Sequence, residues 1–544
     1  MISFVLSMLI PMANLSQAAG LSCEQAHRAP KISQEQIEKR MEDLVGLGNQ
    51  IQAKSFAGEE QLTQAREYFE SELSRLLAQN PQSRKNFREL WMQAQENFKN
   101  KHLRKSDQEK KLAEEKKKAL NEIEVFNPEK LFEIQHTREV GGIAVSSDGR
   151  YVVSVSSDST AKIYDLQTHT KVAEIQHKDS VKNVLFSPDN RYVVTGSEFR
   201  ETKIYDLQAK TEVGKIEYFK RLTSLRISPD SHYVLAASGE GTVQIFDLQA
   251  SAMIEGVQHL SWVGSAEFSP NGRYVVTGSE DKVAKIYDVQ TRQVIEKIEH
   301  KGMIRKVQFS PDGQFVVTSG DDNVVKIYDL QTKKQIGEIV HTDRILNFEI
   351  SPDSHYVATA SEDQTAWIYD LQTRKKVEKI QHQLAIQNVK FSPDGRYLVT
   401  GSNDNTAKIY DLQLRKVKDT IEHKGLVYRT LFSADSRYLA MVAGLQSEVK
   451  IYDMETGQNI GQISHKRWVR NLQFSHDGHF LVTVSDDKMG KIFDLKNHEE
   501  VGKIEHLASV TDVQFSPDDR LIVTASDDGT ARVTKLYWKL GREP

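Results

Sequence analysis

One cysteine, Cys23, is all that the chain contains, so no internal disulfide can form and cysteine usage leaves the redox compartment open. An excess of either charge is also lacking. Against 76 acidic side chains stand 72 basic ones, and a net charge of -4 gives no electrostatic reason to expect a nucleic-acid partner. No apolar run spans a bilayer: the one at the N-terminus, Ile2 to Ile10, is too short. The motifs that mark common catalytic sites are missing too, with no G-x-S-x-G, H-E-x-x-H, G-x-G-x-x-G or Walker loop. What remains, 38% hydrophobic and 27% charged residues, describes a soluble protein with an ordinary interior.

The first 22 residues read as a secretory signal peptide. The apolar run is followed by Pro11 and by Ser16-Gln17-Ala18-Ala19-Gly20, which places cleavage near Ala18 or Ala19, although no Lys or Arg precedes the run. Export to a bacterial periplasm or cell envelope follows, with the cytoplasm as the alternative. Cys23 after Gly20-Leu21-Ser22 resembles a lipoprotein acceptor whose Leu stands one position too close.

Residues 23–124 have a helical texture. Ser33 and Gln36 form a capping box ahead of Ile37, Met41, Leu44, Leu47 and Ile51. A second helix carries Leu62, Phe69, Leu73 and Leu76, and a third carries Phe87, Leu90, Trp91, Ala94 and Phe98 before a charged spacer. The apolar faces suit a tether or oligomerisation element that packs on itself, on a second copy, or on the rest of the chain.

The remainder is a repeat. KIYDLQT at Lys162 to Thr168 returns with its aromatic-Asp pair led by Tyr164, Tyr205, Phe246, Tyr287, Tyr328, Tyr369, Tyr410, Tyr452 and Phe493, and a degenerate copy places Thr534 in the same slot. The step is 41 residues, with one of 42. Within one period, strands are expected over Ile304 to Phe309, Phe315 to Thr318, Val325 to Leu330 and Ile336 to Val340, with turns at Ser310-Pro311-Asp312-Gly313 and Ser319 to Asn323. Four such strands make one antiparallel sheet.

Over residues 131 to 535 the chain resembles the WD-repeat β-propeller family, in a bacterial type with Tyr-Asp in place of Trp-Asp. The resemblance implies an all-β propeller of four-stranded blades over 131–544 after the small helical segment. It also implies a buried network in each blade, here His300, Thr318, Asp322 and Tyr328 in the fifth repeat, matched by His136, Ser154, Asp158 and Tyr164 in the first. A buried imidazole and carboxylate are tolerable when each satisfies the other, so the nine regularly spaced histidines read as structural and no metal or other cofactor is implied.

A spare fourth strand, Leu131 to Gln135, precedes the first repeat, and the chain stops before a tenth fourth strand forms. The two complement each other, which favours one closed ring of ten blades and leaves a seven-plus-three split and an open arc as alternatives.

Function is expected where the repeats differ. Just after each His, on the rim that the family uses for partners, stand Leu260, Trp262, Met303, Leu384, Leu426, Arg467 and Trp468, and in the repeat without a His, Phe219 and Arg221. Repeats two, three and eight depart from the network at Phe199, Ala236, Glu240 and Met441. On the opposite rim Lys333-Lys334, Arg374-Lys375-Lys376 and Arg415-Lys416 form a basic arc suited to weak envelope association. First-strand polar residues, Asn183, Lys306, Asn347, Asn388, Arg429 and Asp512, are expected to line the channel in contact with solvent. The chain reads as a non-enzymatic scaffold for protein partners. The alternative is a propeller enzyme or small-ligand receptor that uses the channel.

Overall fold

The computed structural model describes residues 128–444 and 447–536, all within the unit Val125–Pro544. The expected signal peptide, Cys23 and the helical segment 23–124 lie outside the described residues. Among the described residues, forty strands form ten four-stranded antiparallel sheets. In blade five the strands run Ile304–Phe309, Phe315–Gly320, Val324–Asp329 and Lys334–Val340, from the innermost outward.

The turns follow from short polar side chains that satisfy the backbone locally. Ser310 Oγ accepts from Phe315 N at 2.9 Å, Asp312 Oδ1 accepts from Gln314 N at 3.0 Å, and Gly313 takes a φ of 72°, in the left-handed region that glycine favours and that Asn190 and Asp519 enter at the same place in other blades. The third strand ends at Asp329, one residue earlier than expected, because its carboxylate accepts from the backbone N–H of both Gln331 and Thr332, each at 2.9 Å. That turn hands the chain to an outer strand that begins two residues early, at Lys334.

Each blade packs on a neighbour at both faces. The second strand is therefore buried on both sides and reads as a run such as Tyr192–Ser197, YVVTGS, without polar alternation. Ten apolar clusters result, one at each junction between successive blades. The junction of blades four and five buries Ile286, Ile304, Val307, Phe309 and Tyr328, side chains worth about 1.5–3 kcal/mol each when fully removed from water.

The N-terminal strand, Glu129–Gln135, completes blade ten by pairing antiparallel with Thr530–Lys535, with Phe132 opposite Val533 and Ile134 opposite Ala531. Blade ten then meets blade one through a shared cluster and through Val145 N donating to Gln514 Oε1 at 3.0 Å. The ring is single and closed, and the split and open-arc arrangements are excluded.

The inner strands correct one expectation. Lys306, Asn347, Arg429 and Asp512 bond to neighbouring blades and are not merely solvated lining. Lys306 Nζ donates to Asn347 Oδ1 at 3.1 Å and Phe348 O at 2.6 Å. Asn471 Nδ2 donates to Asp512 Oδ1 at 2.7 Å, and Phe391 N to Glu349 Oε2 at 2.9 Å. Burial holds the Asp512 carboxyl above its ordinary range and Lys306 below its own. At Glu267, burial outweighs Arg226 and Lys306 and pushes the carboxyl up to about 7. Asn183 and Asn388 are likewise partly covered, and the amide oxygen of Asn388 has no partner. Arg429 reaches Arg470 O at 3.3 Å.

Candidate partner-binding rim

The histidine network builds the rim. His300 Nε2 pairs with Thr318 Oγ1 at 2.9 Å, and Nδ1 with Asp322 Oδ1 at 3.0 Å. Asp322 Oδ2 also accepts from Lys301 N at 2.8 Å, so one carboxylate ties the blade to the loop entering it. Burial pushes the imidazole below its ordinary value, while the bonds it receives hold Asp322 below the usual carboxylate range despite its burial. Tyr328 does not belong to this network, because its hydroxyl donates to Glu296 Oε2 of the preceding blade at 2.7 Å. The same His–Asp pair recurs at His136, His259, His341, His382, His465 and His506, between 2.8 and 3.1 Å.

The irregular repeats solve the same problem differently. In blade two Phe199 replaces the Asp, and Glu201 supplies a carboxylate from the third strand to Lys178 N at 3.0 Å, but it stands 3.9 Å from His177 Nδ1. In blade three Glu240 Oε2 takes Phe219 N at 3.2 Å, and Tyr218 in the His position turns back to donate to Ser197 O at 2.7 Å, since Ala236 offers no acceptor. Blade eight has Met441 in place of Thr, and both ring nitrogens of His423 and both oxygens of Glu448 are buried without partners. Burial, helped by the charge of a neighbouring lysine, then pushes His423 down to about 4 and His177 to about 3.

Three successive positions of this loop carry the expected binding residues, and each has its backbone held. The residue after the His has its N–H bound by the network carboxylate and its side chain thrown outward. Leu260 N donates to Asp281 at 3.0 Å and the residue is 97% exposed, and Phe219, bound to Glu240, is 91% exposed. At the middle position Leu384 O and Arg467 O accept from Ser402 and Ser485 at 3.1 and 3.0 Å, with both side chains exposed. The third position, at the mouth of the channel, holds Arg221, Trp262, Met303, Leu426 and Trp468, whose carbonyls accept from the facing turn at 2.8 to 3.0 Å. Sequence reasoning missed Leu507, which follows His506, has its N–H on Asp528 at 2.8 Å and is 83% exposed; the His register alone would have found it.

The connectivity sets all these residues on one rim, since each precedes an inner strand. It does not gather them into one site. Arg221 and Trp262 share a cleft of about 530 Å³ over blades two to five, with Lys182, Glu198 and Arg305 in its wall. Thr223 and Gly264 open it by standing where Arg305, Tyr428 and Arg470 stand on other inner strands. Leu384, Leu426, Arg467 and Trp468 lie on blades seven to nine, outside the cleft. Trp468 leans on Tyr428, ring centroids 5.5 Å apart. Among the described residues no cluster of His, Cys, Asp or Glu is arranged to hold a metal. On the opposite rim the basic arc is partly engaged locally: Arg374 reaches Asp329 at 3.5 Å and Lys376 lies over the Trp367 ring at 5.0 Å.

These features define a β-propeller of ten four-stranded blades, similar to the propellers built of WD40 repeats. The family model described as "WD domain, G-beta repeat" matches residues 333–370 and 374–411, that of the "IFT122 first beta-propeller" residues 106–347, and that of "Eukaryotic translation initiation factor eIF2A" residues 408–539. No curated protein matches. Among solved structures, that of the computationally designed Ika8 protein is similar at 23% identity and a TM-score of 0.44, covering 58% of this chain and 96% of the design.

Proposed function

We propose that the chain is a non-enzymatic scaffold that binds protein partners on its His-side rim, and that it is a propeller of the bacterial, Tyr-Asp type. The observation that supports this reading is the set of large apolar side chains, Phe219, Leu260, Trp262, Leu384, Trp468 and Leu507, exposed on loops whose backbones the blade networks hold in place. Rigid aromatic and aliphatic anchors are bound at low entropic cost, which is how interface hot spots work. The segment 23–124 acts as tether or oligomerisation element of an exported, envelope-associated protein.

The test is capture of partners by the tagged full chain after crosslinking in the envelope of its native cell, compared with Trp262→Ala plus Trp468→Ala. A defined protein recovered by the wild type and lost, by tenfold or more, in the double variant supports the rim. Unchanged recovery removes the His-side rim from the reading. Enrichment of no protein removes the scaffold.

A further inference from the structure

At every junction but one, an aromatic ring on the third strand of a blade crosses to the fourth position of the preceding outer strand. Phe246, Tyr369 and Phe493 lie on Gly214, Gly337 and Gly461, where a Cβ would come within 2.3, 2.1 and 2.2 Å of the ring or its hydroxyl. Tyr328, Tyr410 and Tyr452 donate to Glu296, Glu378 and Asp419 at 2.7, 3.3 and 2.8 Å, and Tyr287 bonds to Glu255 O. Tyr205 packs by Ala173, and Tyr164 stacks on Phe132, 5.8 Å between centroids. At the ninth junction the facing pair is Gly502 and Thr534. The glycine keeps the room for a ring that the threonine cannot supply.

A cleft of about 510 Å³ stands there, walled by Val501, Gly502, Arg532, Thr534 and Pro128. Thr534 is 2% exposed and its hydroxyl has no partner, whereas the hydroxyls of Tyr287, Tyr328, Tyr410 and Tyr452 at this position all find one. Most of the charges around the cleft are paired, Arg532 with Glu133 at 2.7 Å, Lys130 with the same carboxylate at 3.2 Å and Lys503 with Glu500 at 3.4 Å, and Glu505 also stands in the wall. What is missing is a flat apolar group with one hydrogen-bonding tip.

We propose that this seam is a slot for an aromatic side chain, filled by the Tyr537–Trp538 segment of the same chain. The backbone leaves the last strand at Leu536, which is buried in that same junction, and Trp538 follows Thr534 by four residues, a reach of about 14 Å. A phenol or indole tip would meet the Thr534 hydroxyl. The segment thus replaces, from outside the repeat, the ring that the tenth repeat lost, at the seam where the ring is closed by separate ends of the chain.

The test uses the full chain. Trp538 emission, isolated as the difference between wild type and Trp538→Phe, is expected to be blue-shifted and shielded from acrylamide. Tyr537→Ala plus Trp538→Ala is expected to lower the melting temperature by about 2 °C. Thr534→Tyr, which restores the ring of the other blades, should expose Trp538 and abolish the effect of the double change. Should that variant fail to fold, Gly502→Leu fills the slot from the opposite wall and is read the same way. Solvent-like Trp538 emission together with an unchanged melting temperature overturns the proposal. It is overturned in favour of an outside occupant if N-acetyl-tryptophanamide raises the melting temperature of the wild type but not of Thr534→Tyr.

Discussion

A histidine buried in its neutral form destabilises a fold once the surrounding pH would charge it. Nine histidines of the ring have values lowered by burial, His177 to about 3 and His423 to about 4. Between the unfolded value near 6.5 and these lower folded values, the unfolded chain binds protons that the folded one does not. Stability therefore falls as pH drops through that window, each histidine costing up to about 1.4 kcal/mol for every pH unit crossed. Melting temperature measured from pH 7 to 4 should drop steadily, with net proton uptake on unfolding; a flat profile from 6.5 to 5 would refute it. Glu267 works with the opposite sign. Its folded value, about 7, lies above the unfolded one, so it costs stability progressively as pH rises from about 4.5 to 7. Glu267→Gln keeps an acceptor of the kind that Gln473 offers to Phe515 N at 2.9 Å in blade nine. It should raise stability above pH 7 by about 1–2 kcal/mol and leave it unchanged near pH 4, a difference that denaturant titration at the two pH values checks.

The blade is the element that was legible in the sequence, because each of its strands needs the same residues at the same place ten times over. Within it, the partners of His300, Thr318 and Asp322, were those that the family resemblance implied, whereas Tyr328, implied with them, bonds elsewhere, since its hydroxyl acts on the preceding blade and the repeat as written contains no neighbour. For the same reason Lys306 and Asp512 read as channel lining: their partners come from the following or the preceding blade, 41 residues away, or around the closed ring. Glu201 was hidden differently, as a carboxylate moved to the following strand. These inter-blade contacts predict graded costs. Tyr328→Phe removes one hydroxyl bond to a carboxylate and should cost about 1–2 kcal/mol. Gly461→Ala forces a methyl to 2.2 Å from the Phe493 ring and should cost more, about 2–3 kcal/mol, because both strands would have to part. Equal, near-zero changes in the midpoints of chemical unfolding would show that the junctions are looser than the packing requires.

At the scale of the whole molecule, ten blades share one closure, and the strand that makes it comes from the other end of the repeat array. Neighbour-only contacts make a propeller's stability roughly a sum over junctions, yet a ring differs from a solenoid in having no terminal repeat to cap it. Its weak point is Glu129–Gln135, where Ile134 is wholly buried between blades ten and one and Phe132 stacks on Tyr164. Ile134→Asp places an unpaired charge in that cluster and should detach the strand, leaving the edge of Thr530–Lys535 bare. The expected result is a new early unfolding transition, protease cleavage ahead of residue 136, and concentration-dependent association through the exposed edge. The matched change on the outer strand of blade five, Ile339→Asp, also buries a charge, but that strand is held at both ends by its own chain. It should lower the melting temperature without early release of a segment. Identical behaviour of the two variants would mean that the seam is no weaker than any other junction.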